Sequence, residues 1–382
     1  MTRKSRELRA QGKDVITLSI GEPDFDTPEL IKEAGHDAIT NNITHYPPVP
    51  GFASLQEAIV HKLKRDNNLD YKPNQIIISN GAKQSLANIM MSLLNSGDEV
   101  IIPAPYWVSY PDLVKLAEGT PVFIPTDIDH LYKVQPEQLE KAIGPKTKAI
   151  IFNSPNNPTG SIYTAEEIEK LAAVLKNHPD VFIISDEIYE LINFAEKQVS
   201  FASYPEIKNQ VIIVNGVSKG FAMTGWRIGY IAAPTEVAWA CNKIQGQYTS
   251  GPGTISQMAA QKAIEINPGD IPELPSMVEA FRKRRDLVME KLKEIEGVKT
   301  YTPEGAFYIF PDISYYFGKS FENYNIQSST DMCMYLLEKA NVALVPGEAF
   351  GEPNGIRISY ATSEELLTEA VTRIKNALEK LN

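Results

Sequence analysis

The sequence predicts an α/β protein: a large, doubly wound, mainly parallel sheet domain joined to a smaller α+β domain. Three observations predict it. Between residues 71 and 214, short apolar runs alternate with stretches of helical periodicity, as repeated strand–helix units do. The runs are continuous rather than alternating, which is how strands buried on both faces of a parallel sheet read. Beyond a segment punctuated by proline and glycine, 267–275, the pattern changes to a long helix, short strands and a closing helix.

Taken in order, strands are expected at 76–78, 99–102, 121–124, 149–152, 181–184 and 211–214. Helices are expected between them at 83–94, 110–116 and 164–176, the last opened by Thr164 and Glu167 in capping-box spacing. After the hinge come a helix at 277–295, strands at 307–310, 342–345 and 355–359, and a helix at 363–381. The large domain is placed at 28–267 and the smaller one at 1–27 together with 268–382, so both chain ends are expected in the smaller unit. No internal repeat or low-complexity tract interrupts this order.

Composition sets the class. A chain of 382 residues, 43% hydrophobic and 9% aromatic, buries a large core and is not a solvated coil. Two cysteines, Cys241 and Cys333, make no disulfide framework and no metal-ligand cluster. With 37 basic against 48 acidic residues the net charge is −11, which repels nucleic acid unless a patch inverts it. The one dense basic run, Arg282-Lys283-Arg284-Arg285, falls in a helix, spreads round its cylinder and is expected to be a solvated face. No window has the roughly 18 apolar residues of a membrane span. The first residues lack the apolar segment of a secretory signal. A cytoplasmic protein with no nucleic-acid or membrane partner is expected.

In doubly wound sheets ligands sit outside the carboxyl ends of the strands, and there the residues turn unusual. After 76–78 the chain enters Ser79-Asn80-Gly81-Ala82-Lys83, a small-residue turn opening a helix, where free N–H groups and the helix dipole favour an anion such as phosphate. After 149–152 comes Asn153-Ser154-Pro155-Asn156-Asn157-Pro158-Thr159-Gly160, either a rigid structural turn or a loop whose amides face a ligand. After 181–184 comes Asp186, whose burial demands a partner, with Tyr189 at i+3 on the same face if a helical turn begins there. After 211–214 come Ser218-Lys219 and, eight residues past Lys219, Arg227 beside Trp226. Alone, Lys219 reads equally as a solvated lysine.

The conjunction is more telling than any member. A lysine, a buried carboxylate, a phenol, an amide and an anion site with an arginine, all at one sheet edge, are the set that pyridoxal phosphate requires. The lysine attacks a carbonyl only as the free amine, which desolvation and nearby cations promote. No Gly-x-Gly-x-x-Gly opens a strand–helix unit, so a nicotinamide enzyme lacks its fingerprint.

The chain resembles the fold-type I, pyridoxal-phosphate-dependent class I aminotransferases, and within them the bacterial aspartate and aspartate/prephenate branch. The segments that carry the resemblance are Ser19-Ile20-Gly21-Glu22-Pro23-Asp24-Phe25, Tyr46-Pro47-Pro48-Val49-Pro50-Gly51, Pro105-Tyr106-Trp107-Val108-Ser109-Tyr110, Asn156-Asn157-Pro158-Thr159-Gly160, Ser185-Asp186-Glu187-Ile188-Tyr189, Ser218-Lys219 with Gly225-Trp226-Arg227, and Arg357-Ile358-Ser359-Tyr360. In this order they span nearly the whole chain.

The resemblance implies pyridoxal 5′-phosphate as cofactor and a role for each matching residue. Lys219 forms the Schiff base and shuttles the proton. Asp186 pairs with the pyridine nitrogen, while Asn157 and Tyr189 hydrogen-bond the phenolic oxygen. Trp107 stacks on the ring. The Ala82 and Lys83 amides, Ser218 and Arg227 hold the phosphate. Arg357 grips the substrate α-carboxylate as a planar fork, and Gly21 approaches it by its backbone. Tyr46 reaches the phosphate of a partner subunit, which implies a homodimer with shared active sites. Lys83 is expected to meet the distal carboxylate of a dicarboxylic substrate; the alternative is that its side chain points to solvent.

The implied activity is aspartate aminotransferase, moving the amino group of L-aspartate to 2-oxoglutarate to give oxaloacetate and L-glutamate. The alternatives are an aromatic, prephenate or alanine aminotransferase, a β-lyase, or a non-catalytic regulator on the same fold. Two departures stand out. Gly216 occupies the position where several relatives place a phosphate-contacting serine, so a phosphate ligand is expected to be missing or replaced. The short amino-terminal arm of many relatives is also not seen ahead of Met1.

Overall fold

The computed structural model describes residues 2–195 and 198–382, without the side chains of Thr2 and Arg3. Its helices are α1 (Thr2–Ala10), α2 (Glu29–Thr40), α3 (Ala53–Asn67), α4 (Ala82–Leu93), α5 (Tyr110–Leu116), α6 (Pro136–Ala142), α7 (Ala165–Leu175), α8 (Thr235–Tyr248), α9 (Thr254–Glu265), α10 (Glu273–Leu292), α11 (Ser329–Tyr335) and α12 (Glu364–Leu378). The central sheet uses β2 (Ile76–Ser79), β3 (Glu99–Ala104), β4 (Thr120–Pro125), β5 (Thr147–Asn153), β6 (Phe182–Asp186), β7 (Val211–Gly216) and β8 (Gly229–Ala232), after a short β1 (Ile16–Thr17). Six further two- to four-residue strands follow: β9 (Tyr308–Ile309), β10 (Ser320–Phe321), β11 (Tyr324–Asn325), β12 (Val342–Ala343), β13 (Val345–Pro346) and β14 (Ile356–Ser359).

The sheet order is β2-β8-β7-β6-β5-β3-β4. Six strands run in one direction, while β8 is antiparallel to both of its neighbours. Strand residues alternate between two buried layers. Ile77, Val100, Ile102, Ile151, Ile184 and Ile212 pack with Leu86, Ile89, Val114 and Cys241 of α4, α5 and α8. Ile76, Ile78, Ile101, Ile150, Ile183 and Ile213 face the other way, towards Ile59, Leu63, Leu171 and Ala260 of α3, α7 and α9. β-Branched side chains on both faces make such strands at once stiff and apolar. Helix α7 begins as its sequence demands: Thr164 Oγ1 accepts from Glu167 N at 3.2 Å, and Glu167 Oε2 accepts from Thr164 N at 2.7 Å.

Three expectations need correction. β4 is not buried on both faces: it closes the sheet as its last strand, and only Ile124 is buried. The run at 342–345 divides at Leu344, because β12 pairs with β1 while β13 pairs with β14. The basic run in α10 is only half solvated. Arg284 lies over Phe25 and Phe281 and bonds Asp24 Oδ1 at 2.7 Å, while Arg285 lies over Phe194 and donates to Pro303 O at 3.0 Å. Aromatic faces within reach convert a solvated arginine into a packed one.

The amino-terminal stretch lies against the carboxyl-terminal third. Ile16 and Thr17 pair in parallel with Val342 and Ala343, and Ser359 N donates to Leu18 O at 2.9 Å. This brings the Ser19–Gly21 turn beside β14. Among the described residues no helix is long and apolar enough to cross a membrane, and no cluster of His, Cys, Asp and Glu could hold a metal ion.

Candidate active site

A cavity of about 360 Å³ opens where β5, β6 and β7 end, roofed by the Ser19–Gly21 turn and β14. Every residue that the sequence singled out for the site lines it except Tyr46, which is 97% exposed elsewhere on this chain.

At one end is an anion cradle. Helix α4 opens at Ala82 after Gly81, which holds φ +82° and supplies no side-chain cap, so the first-turn N–H groups face the cavity. Arg227 folds over this turn, its Nη1 donating to Thr224 O at 2.9 Å and its Nη2 to Asn80 O at 3.3 Å. A Cβ on Gly81 would come within 2.2 Å of Arg227 Nη2, so the arginine and the helix end approach only because residue 81 is glycine. Ser218 and Thr224 complete the wall.

Gly216 is not among the residues that line this cavity. It ends β7 opposite Gly229, and a Cβ there would lie 2.8 Å from Gly229 Cα and from Ile228 O. The glycine serves strand packing, and Ser218 and Thr224 are the hydroxyls at the anion end.

In the middle stand the two ionisable groups. Asp186 ends β6 and is buried; Tyr110 Oη donates to its Oδ2 at 2.7 Å and Ile188 N to its Oδ1 at 3.2 Å. Burial pushes its carboxyl up to about 6, against the pull of Tyr110, the Ile188 amide and Lys219. Lys219 Nζ donates to Gly21 O at 2.5 Å. Burial brings its ammonium down to about 8; Arg357 and Arg227 push the same way and Glu22 and Asp186 oppose. A buried amine this near neutrality is nucleophilic, and a buried carboxylate with no cationic partner will hold one.

No helical turn follows Asp186, but it and Tyr189 both line the cavity across an irregular turn. Tyr189 Oη lies 2.9 Å from Tyr308 Oη. Trp107 stands edge-on to Tyr110 at 5.4 Å. Lys83 is exposed at the rim, but its Nζ lies 4.9 Å over the Trp107 ring, so the side chain bends over the cavity instead of pointing away.

At the far end Arg357 rises from β14, buried against Tyr308 and Phe350. Nη1 donates to Asn157 Oδ1 at 2.9 Å and Nη2 to Ser19 O at 2.8 Å, while the buried Nε has no partner among the described residues. An incompletely satisfied guanidinium at a cavity wall is a receptor for a planar anion. Asn157 is fixed by its own backbone, whose N–H donates to Asn153 Oδ1 at 2.8 Å.

Sequence reasoning assigned no role to several lining residues, among them two tyrosines, Tyr110 and Tyr308. The first had a signal, since it falls three residues after Trp107 at the start of a helix. The second had none, because its partners Tyr189 and Arg357 are remote in sequence.

The donor set fits pyridoxal 5′-phosphate. An uncapped helix end with an arginine suits the phosphate, a buried carboxylate suits the ring nitrogen, and a desolvated lysine suits the aldehyde.

The sequence pattern of the family described as aminotransferase class I and II matches residues 13–374. A Petunia hybrida protein named bifunctional aspartate aminotransferase and glutamate/aspartate-prephenate aminotransferase is 49% identical over 380 residues, 99% of this chain and 79% of that one. An aspartate/prephenate aminotransferase of Nitrosomonas europaea is 47% identical, over 99% of this chain and 96% of its own. Among solved structures, an aspartate aminotransferase from Rhizobium meliloti superposes with TM-score 0.97 at 44% identity, covering 100% of this chain and 95% of that one. The Thermus thermophilus enzyme with maleate gives 0.92 at 40% identity, covering 98% and 95%.

Proposed function

This chain belongs to the class I and II aminotransferases, and from that premise we propose how its residues carry out the reaction. It is a pyridoxal-phosphate-dependent aspartate aminotransferase: it moves the amino group of L-aspartate to 2-oxoglutarate, giving oxaloacetate and L-glutamate. The observation that carries the reading is one cavity holding an amine lowered to about 8, a buried uncompensated carboxylate and a buried arginine with a free donor.

When bound, the cofactor supplies a carbonyl that amines condense with and an electron-poor ring that draws electrons from the substrate Cα. The Ala82 and Lys83 amides, Ser218 and Arg227 would hold its phosphate, and Asp186 its ring nitrogen. Asn157 and Tyr189 would face its phenolic oxygen, with Trp107 against the ring. Asp186 must be anionic to keep that nitrogen protonated, and the Tyr110 hydroxyl helps it remain so. Arg357 orients the amino acid by its α-carboxylate beside the Gly21 backbone. Lys219 Nζ, free of a counter-ion within salt-bridge distance among the described residues, removes the Cα proton and later redelivers it. Lys83, bent over Trp107 at the rim, meets the distal carboxylate of aspartate or glutamate.

The reading extends to a homodimer that shares its sites, through Tyr46 reaching across, and to a cytoplasmic enzyme. Support for the dimer is the exposure of large apolar side chains on the lone chain: Tyr46 at 97%, Leu116 at 78% and Tyr248 at 69%. The domain division at 28–267, with 1–27 and 268–382 as the second unit, rests on the β1–β12 pairing. Sedimentation of Tyr46→Ala tests the dimer: cofactor retention should weaken while the dimer persists.

The whole reading is tested by the visible spectrum of the cofactor-loaded protein. Its yellow band should be lost when aspartate is added and return with 2-oxoglutarate. A colourless protein that ignores added cofactor would refute it.

A further inference from the structure

Behind the cavity lies a buried ionic cluster for which the proposed reaction has no use. Glu190 immediately follows Tyr189, and its side chain is 11% exposed. Its carboxylate accepts three bonds: Lys62 Nζ at 2.5 Å and Asn215 Nδ2 at 2.8 Å on Oε2, and Asn67 Nδ2 at 2.6 Å on Oε1. Lys62, 8% exposed at its side chain, also donates to Asn67 Oδ1 at 2.9 Å. Asn215 Oδ1 accepts the next amide, Gly216 N, at 2.7 Å. Removing an ion pair and two amides from water is costly, and an apolar cluster of equal volume would serve stability as well or better. What the polar cluster supplies is fixed geometry.

The elements it joins define that geometry. Lys62 and Asn67 belong to the carboxyl end of α3, a packed helix whose Leu55, Ile59 and Leu63 are buried. Glu190 sits on the turn that leaves β6 carrying Asp186 and Tyr189. Asn215 is the penultimate residue of β7, four before Lys219. Ladder bonds tie β6 to β7 only as far as Asp186 opposite Val214. Beyond that point the two exit loops still touch, Ile188 lying beside Gly216 and Leu191 beside Gly220, and the Glu190–Asn215 bond ties them by a directed polar contact. Ile188 lines both the main cavity and the small space beside Lys62, Glu190 and Asn215, so one side chain separates the cluster from the site.

We propose that Glu190 is a positioning residue: bound to Asn215 and anchored through Lys62 and Asn67 to α3, it sets the spacing between the loop bearing Asp186 and Tyr189 and the loop bearing Lys219. The reacting lysine and the two groups that hold the cofactor ring then reach one ligand in register. The proposal rests on the aminotransferase reading above.

The test uses the cofactor-loaded enzyme and two substitutions, Glu190→Gln and Asn215→Ala. The second cuts the Glu190 link between the loops together with the local Asn215–Gly216 bond, while Lys62, Asn67 and Glu190 keep their mutual bonds, so it decides the matter if the first fails to fold. With aspartate, kcat should fall about tenfold, as a small misplacement of reacting groups does, and KM should change less because Arg357 lies on another element. A spectroscopic readout separates positioning from bulk stability. The pH midpoint of the visible absorbance of lysine-bound cofactor should rise by about half a unit, because Asp186 and Tyr189 both act to keep it low and both would stand further off. Glu22, Arg227 and Arg357, the other charged groups facing Lys219, lie on separate elements and should be undisturbed. A lowered Tm with kcat and midpoint at wild-type values would overturn the proposal. A wild-type protein with no visible band would instead refute the aminotransferase reading itself.

Discussion

Asp186 and Glu190 stand four residues apart on one turn, both sheltered from water, and their surroundings are opposite. In front, Asp186 receives only neutral donors, a tyrosine hydroxyl and a backbone amide, and Lys219 has only a carbonyl. Burial therefore prevails, lifting the carboxyl to about 6 and lowering the amine to about 8. Behind, burial also acts to lower Lys62, but Glu190 at 2.5 Å outweighs it and holds the ammonium above its ordinary value. The front groups are left in need of a ligand, and the rear groups satisfy one another. The same turn thus carries a site with unmet demands on one side and a clamp on the other.

This contrast is sharpest in Lys219→Ala. Transamination of aspartate should fall about 10⁴-fold or more, since both nucleophile and proton carrier are lost. Stability should hold or rise, because a desolvated amine without a counter-ion is removed. Single-turnover absorbance and a thermal melt read the two halves. A variant as active as wild type would break the assignment of the front.

At the rear the order of effects reverses. Lys62→Met leaves Glu190 buried without its counter-charge and should cost roughly 3–5 kcal/mol of unfolding free energy. Urea unfolding checks this, and a loss below about 1 kcal/mol would mean that the pair is as weak as a surface bridge.

Much of this arrangement was legible beforehand, for physical reasons. Isoleucine and valine runs read as strands because burial on both faces leaves no polar alternation, and the residues just past them are where such a sheet exposes chemistry. Asp186 was visible because charge at the end of an apolar run is anomalous, Lys219 only in conjunction with the other strand-end residues, and Arg357 only through the resemblance. What stayed hidden depends on contact between distant residues. Strand β8 is four residues beginning at a glycine, and only its antiparallel fit between β2 and β7 makes it a strand. The close packing of Gly216 against Gly229 has no local signal. Tyr308 meets Tyr189 across 119 positions, and Lys62 meets Glu190 across 128, with no local pattern to announce either. Arg284 and Arg285 looked solvated because two of the rings they cover, Phe25 and Phe194, come from other segments.

The smallest expected effect lies at the cavity rim. Lys83→Ala should lower kcat/KM for aspartate about tenfold relative to alanine, the loss of one charge-assisted contact at a half-open site. An unchanged ratio would mean that the lysine over Trp107 does not read the distal carboxylate.

The unmet demand of the front is measured most directly by the pH dependence of cofactor capture. Cofactor-free protein is mixed with pyridoxal 5′-phosphate, and the rate at which the visible band appears is followed from pH 6 to 11 by stopped flow. Because the neutral amine is the nucleophile, the rate should climb with deprotonation of Lys219 and level off with a midpoint near 8. A rate still climbing towards 10.5, the ordinary value for a solvated lysine, would contradict it.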